Sequence, residues 1–381
     1  PKNQISDSSE ALCNYYITKF DIFNIHLDCD SQYFLLDSQS PSRIFENQTP
    51  LQDRPFYTLL VFLSSKILNL IGVPSGPIIY LGEDGIPQTY QLLNYGIFLI
   101  INIIIIAASL YFISRVLSSS NNVNGRYFKL VTLGALLLVT QNPITREFFW
   151  TPHTQLFNIL IPCLLFYLVQ EDFYMTKRNL TVLILSISVL LLMYPTFFIV
   201  LPIVFIKTQR SLGTLRASLV SLCLIPKLLW PFILNSMGGN YIDWPLTYHR
   251  RFIWLYDSLQ ANTLGADVKE KLSAFMNSLP TSWTLILLIF LAAWGYAVRS
   301  RDTLIYAASL QRTRDSLIVL SIYTLGIILN GAYGARFTMG IVIMLGLIVL
   351  KEAATVSNPT KYWWIFCSAF ITLNCWSWFL N

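Results

Sequence analysis

Charge is scarce in this chain. Only 12% of its 381 residues are Asp, Glu, Lys or Arg, against 54% hydrophobic, and a soluble fold would have no place for that much apolar surface. Histidine is rarer still, at 3 residues, and the 6 cysteines form no Cys-x-x-Cys pair and no Cys/His zinc spacing. A zinc site of the Cys/His motif kind is thereby excluded. There is no Walker loop, no Gly-x-Gly-x-x-Gly, no Gly-x-Ser-x-Gly and no internal repeat, so motif-borne phosphate cradles and the serine-hydrolase elbow are excluded too. The chain begins at Pro1 with neither Met nor a signal peptide, and residues 1–27 are too polar to span a membrane. The expectation is a signal or anchoring helix removed from upstream.

What the chain has in quantity is long apolar runs. They fall near 91–117, 129–141, 155–170, 180–193, 196–206, 217–234, 283–298, 316–330, 337–350 and 362–380. Open-edged sheets cannot span lipid, and these runs are too continuous for alternating barrel strands. The predicted fold is all-α, a polytopic transmembrane helix bundle of about nine to eleven membrane segments over 91–381. Several runs are shorter than the ~20 residues a straight crossing needs, which predicts tilted, broken or re-entrant helices. At Tyr194-Pro195 the fourth and fifth runs are either two helices or a single kinked one.

Basic residues give the orientation. Threading the runs puts 14 Lys and Arg beyond residue 90 on one side and 7 on the other, the latter being Arg146, Lys227, Arg250, Arg251, Lys269, Lys271 and Arg336. The richer side is cytoplasmic by the positive-inside rule. Residues 1–90 and the loop 235–282 then form the extracytoplasmic part. The 1–90 block holds 10 acids against 5 bases, a net of −5, whereas the remainder is +11. Such a basic membrane body suits anionic headgroups or a phosphate-bearing substrate, and nucleic acid is not expected. Cys13 and Cys29 lie in the external block and could pair, while Cys163, Cys223, Cys367 and Cys375 read as small core residues.

Four constellations carry chemistry. In His26-Leu27-Asp28-Cys29-Asp30, an extended backbone points His26, Asp28 and Asp30 the same way. Together they could hold a divalent cation or supply a general base. Equally, the acids could cap a helix over 31–36. The stretch Asn142–His153 places Arg146, Glu147 and three aromatics, Phe148, Phe149 and Trp150, at a membrane boundary, as a cavity lining or as interfacial anchors. His153 is a lone histidine, a type more often structural than catalytic. In the loop 235–282, His249, Arg250 and Arg251 could clamp a phosphate, with Trp244 and Tyr248 stacking on a sugar or anchoring at the interface. Finally, Gly331-Ala332-Tyr333-Gly334-Ala335-Arg336-Phe337 sets one Arg at the external end of a helix among glycines, as an anion seat or a snorkelling side chain.

The run Asp28–Asp30, then Ser42-Arg43-Ile44-Phe45, then Gln52-Asp53-Arg54-Pro55-Phe56-Tyr57 leads into the apolar stretch 58–71. It resembles the first external loop of the polytopic glycosyltransferases with the GT-C fold. That resemblance implies a lipid-phosphate-linked sugar as donor, an acidic pair at the reaction centre and a loop laid along the membrane as amphipathic helices. Leu59, Leu60, Phe62, Leu63, Ile67, Leu68 and Ile71 fit such a surface helix by spacing, or else a short spanning segment. Glu147 stands where the family has a short acidic or aromatic loop. Arg336 is similar to the late Arg that meets the carrier phosphate, although Met339-Gly340 replaces the prolines that usually follow.

The resulting expectation is a transferase of the non-cytoplasmic face. Asp28 and Asp30 are its catalytic carboxylates, and Arg54, Glu147, His249, Arg250, Arg251 and Arg336 its substrate-binding set. His26, Asp28 and Asp30 would hold an optional divalent cation. Its partners are the lipid-phosphate-linked sugar and membrane lipids. A non-catalytic subunit with protein partners in a membrane assembly is the alternative. A transporter is third, because it needs mid-bilayer ionisable residues and Lys227 is the main one here.

Overall fold

The computed structural model describes residues 15–16, 26–27, 29–46, 51–81, 87–118, 125–170, 176–242, 251, 253–278, 306–331 and 335–354. Helices dominate. In chain order they are α1 (Cys29–Gln39), α2 (Pro55–Leu70), α3 (Leu92–Ser118), α4 (Gly125–Thr140), α5 (Pro143–Phe148), α6 (Phe157–Gln170), α7 (Lys177–Met193), α8 (Leu201–Leu212), α9 (Thr214–Ala217), α10 (Ile225–Ser236), α11 (Trp254–Gln260), α12 (Leu264–Asn277), α13 (Tyr306–Asn330) and α14 (Ala335–Ala354).

Two antiparallel ribbons qualify the all-α expectation. β1 (Tyr15–Tyr16) pairs with β2 (His26–Leu27), and β3 (Pro77–Leu81) with β4 (Pro87–Gln91) in the register Ile79↔Thr89. The Ile78-Ile79-Tyr80 run favours a pleated strand, and a proline at each strand start gives up no ladder donor inside the ribbon.

Among the described residues, two helices are long and apolar enough to cross a membrane: Leu92–Ser118 and the continuous Thr214–Ser236. Pro55–Leu70, Val131–Thr140, Thr154–Gln170, Asp315–Asn330 and Phe337–Lys351 are shorter apolar helices. The runs 283–298 and 362–380 lie outside the described residues. Within Thr214–Ser236 the turn Ser218–Leu224 is a 3-10 helix. Pro226 follows it at the start of α10, lacking an N–H and crowding the preceding turn.

α6 forms the centre. It is apolar all round, and only Tyr167 of its 14 residues is not fully buried, as a helix surrounded by others must be. α3, α13 and α14 pack against it. α13 and α14 approach closely at Gly340, where an added Cβ would collide with the Tyr323 hydroxyl.

The bundle has two distinct ends. At the first, Asn94 on α3 donates to the Ser38 carbonyl (2.9 Å), Asn102 to the carbonyls of Phe149 and Thr151 (both 2.9 Å), and Tyr194 to Asn158 (2.9 Å). At the second, Lys351 donates to the Val116 carbonyl (2.5 Å), Gln170 to Ser316 (2.5 Å) and Lys207 to the Val169 carbonyl (3.4 Å). Tyr194 lies at the first end and Lys207 at the second, so α8 runs back along the bundle. The Tyr194-Pro195 break is therefore a reversal through the 3-10 turn Pro195–Val200, not a kink within one helix. Proline forbids continuation, and Tyr194 is extended at φ −153°, ψ 103°.

Candidate functional site

The first end is organised around the turn Leu51-Gln52-Asp53-Arg54. Leu51 has φ 72°, a left-handed conformation that a branched side chain adopts only at a cost of about 1–3 kcal/mol. That conformation turns the next three residues inward, where Gln52 and Asp53 are buried. Pro55 then opens α2, its missing N–H being one that a first helical turn leaves unpaired in any case.

Each of the three makes long-range contacts. The Gln52 amide donates to the carbonyls of Ile44 (3.1 Å) and Glu46 (2.7 Å), and its oxygen accepts from the Ile242 N–H (3.0 Å). Trp230 donates to the Gln52 carbonyl (2.7 Å) and Lys227 to the Asp53 carbonyl (2.5 Å). Arg54 pairs with the Asp53 carboxylate (Nε to Oδ2, 3.3 Å), donates to Thr154 Oγ1 (2.7 Å) and holds its guanidinium 5.4 Å from the Tyr194 ring centroid. Cation–π attraction strengthens when such a pair is desolvated.

A polar chain continues from there into α6. Tyr194 donates to Asn158, which donates to Gln155 (2.7 Å). His153 accepts from the Gln155 N–H at Nδ1 (3.1 Å). Nδ1 is thus an acceptor, which assigns the ring proton to Nε2 in the neutral form. Tyr57 donates to the His153 carbonyl (3.2 Å), and the buried imidazole packs against Phe148 and Phe34. Phe34 stands one helical turn after position 30 on α1, so the first turn of α1 approaches this network.

A second cluster joins the 251–278 segment to the junction of α13 and α14. Arg251 sits 5.3 Å from the Phe337 ring centroid, and Trp254 donates to the Leu329 carbonyl (2.9 Å). Gly331, at φ 74°, faces the Trp254 indole so closely that a Cβ would collide with it. Arg251 and the start of α14, where Arg336 is the second residue, therefore come together.

Of the candidate residues, Arg54 is inside the network, Glu147 is exposed on α5, and Arg251 belongs to the second cluster. Asp28, His249 and Arg250 lie outside the described residues, and so do the side chains of His26, Asp30 and Arg336. Among the described residues, no group of three His, Cys, Asp or Glu is placed to hold a metal ion. Cys13 also lies outside them.

Sequence reasoning did not anticipate the roles of Gln52, Asp53, Thr154, Asn158 or Tyr194. Lys227, a lone cation in an apolar run, was the available signal. In the same block, burial pushes the Asp37 carboxyl up to about 7 despite Arg43 at 3.6 Å, with Glu46 adding to the rise. Compared with known proteins, the chain matches no family model, no curated protein and no solved structure.

Proposed function

We propose that this protein is a multi-pass membrane glycosyltransferase. It moves a sugar from a lipid-phosphate carrier to an acceptor hydroxyl on the non-cytoplasmic face. The observation that carries the reading is the first end of the bundle: a desolvated Arg54 with its Asp53 partner, approached by the first turn of α1 and built beside Lys227. Cations with fixed geometry at a helix-bundle end suit a phosphate leaving group. The C-terminal half of α2 adds support. Leu63, Ile67 and Leu70 are exposed there at 54%, 61% and 86%, as in a helix lying against lipid.

In this mechanism Asp28 or Asp30 takes the proton of the acceptor hydroxyl. The hydroxyl oxygen bonds to the anomeric carbon as the bond from that carbon to the phosphate oxygen breaks. The carrier phosphate leaves with the electron pair, its charge met by Arg251, Arg336 and Arg54. A divalent cation held by His26, Asp28 and Asp30 is optional.

The test is sugar transfer from a radiolabelled polyprenyl-phosphate hexose by membranes carrying the full chain. Removal of the base in Asp28→Asn or Asp30→Asn lowers the rate about 10²–10⁴-fold with expression unchanged. Full activity in both variants removes the assigned base. A second reading, a non-catalytic assembly subunit, draws on Gln52, all of whose recorded side-chain bonds go to backbone groups, as a structural staple's would. It gains if neither the wild type nor any variant transfers sugar while the chain co-purifies with a fixed set of membrane proteins.

A further inference from the structure

We infer that the second end of the bundle is a docking surface for anionic phospholipid headgroups. Arg115 closes α3, Lys129 lies in the first turns of α4, Lys177 and Arg178 open α7, Arg210 lies in the last turn of α8, and Arg216 is on α9. All are exposed except the half-buried Arg216. They share one end, because Lys351 ties α14 to Val116 on α3, and Lys207 ties α8 to Val169 at the close of α6. Against the 14 bases, this side of the sequence carries the acids Glu171, Asp172, Asp302, Asp315 and Glu352, and Asp315 already pairs with Arg210 at 3.4 Å.

The helix ends sharpen the imbalance. A helix start carries partial positive charge and favours acids. α4 and α7 have none in their first turns; α7 places Lys177 and Arg178 there instead, and Lys129 follows the first turn of α4. The bases of this side outnumber its acids in the sequence, and a surface of phosphate diesters would balance the excess. A membrane is the fitting source of those phosphates because the surface is broad and spread over five helices. The same helices carry exposed apolar side chains beside it, such as Tyr111, Leu133, Val182 and Leu185. The inference rests on the bundle lying in a bilayer, not on sugar transfer.

The experiment places the full chain in phosphatidylcholine vesicles containing spin-labelled phosphatidylglycerol or phosphatidylcholine and compares the motionally restricted fractions. Each Lys or Arg in the headgroup layer is worth about five-fold in association with an anionic surface, so the expected selectivity for phosphatidylglycerol is about five-fold or more. It falls to near parity in Lys129→Gln/Lys177→Gln/Arg178→Gln/Arg216→Gln and persists in Lys269→Gln/Lys271→Gln. Parity in the wild type overturns the inference. So does selectivity that survives the four substitutions or is lost with the two control ones. Where the fourfold variant fails to fold, the wild type is titrated from about 0.05 to about 0.5 M NaCl, which shortens the screening length several-fold. Selectivity that declines with salt supports the surface, and selectivity unchanged by salt overturns it.

Discussion

Two ion pairs of nearly equal length stand at opposite ends of the bundle. Arg54 meets Asp53 at 3.3 Å with side chains 11% and 4% exposed, and Arg210 meets Asp315 at 3.4 Å with side chains 58% and 28% exposed. Separation alone would rank them as equals. Burial separates them, because the first pair has left water and depends on Thr154 and the Tyr194 ring to replace it, while solvent and salt screen the second. The same asymmetry runs through the ends as wholes. The first directs its polar groups inward into a network, whereas the second buries Lys351 and the Gln170–Ser316 pair but turns most of its basic side chains outward.

The comparison can be broken most severely at Arg54. Arg54→Ala leaves Asp53 buried without its cation and Thr154 without its donor. The expected loss is about 3–5 kcal/mol, read from denaturant-induced unfolding in detergent micelles. A loss no larger than that of an exposed pair would show that water enters the Leu51–Arg54 turn.

A pH titration of the same end comes next in size. The Asp37 carboxyl has its pKa raised from 3.8 to about 7, so the fold holds that proton more tightly than the unfolded chain does. Its contribution is complete below the ordinary carboxylate pKa and is lost as pH rises through about 7. Asp37→Asn should flatten this decline between about pH 4 and 8, measured as the unfolding midpoint at each pH. An unchanged slope in the variant would assign the titration to another group. The smallest effect belongs to the other end. Arg210→Gln should shift stability by less than about 1 kcal/mol, and its effect should vanish at high salt.

The residues differ in how far they could be read ahead of the structure. α3 is legible, since Leu92–Ser118 is a long apolar run with a cation in its last turn. α2 was legible as a helix over its apolar stretch. Its buried face, however, is Tyr57, Thr58, Val61 and Ser65, while Leu63 and Ile67 face outward. Periodicity marks an apolar stripe without saying whether protein or lipid covers it. The β3–β4 ribbon carried a readable signal in its Ile-Ile-Tyr run followed by Gly82 and Gly85, yet the block was assigned to loop and helix alone. The network at Arg54 was the least legible part. Its partners lie 100 residues away at Thr154, 174 away between Asp53 and Lys227, and 178 away between Gln52 and Trp230. Local spacing holds no information at that range. Conversely, Glu147 was singled out for its charge and proved exposed, because a charged residue at a helix boundary is inexpensive in water.

The Gln52 contact set also has a consequence for the order of assembly during synthesis. Its amide nitrogen serves Ile44 and Glu46, which leave the ribosome just before it, but its oxygen waits for Ile242, 190 residues later. At about 5–20 residues per second that interval is roughly 10–40 s. For most of it the Leu51–Arg54 turn lacks Lys227 and Trp230 as well. The Leu51–Arg54 turn is thus translated early and completed late, and a nascent chain stalled before residue 227 would display Asp53 and Arg54 unfinished. Truncations in that interval should be recognised by quality-control proteases sooner than their apolar content alone would predict.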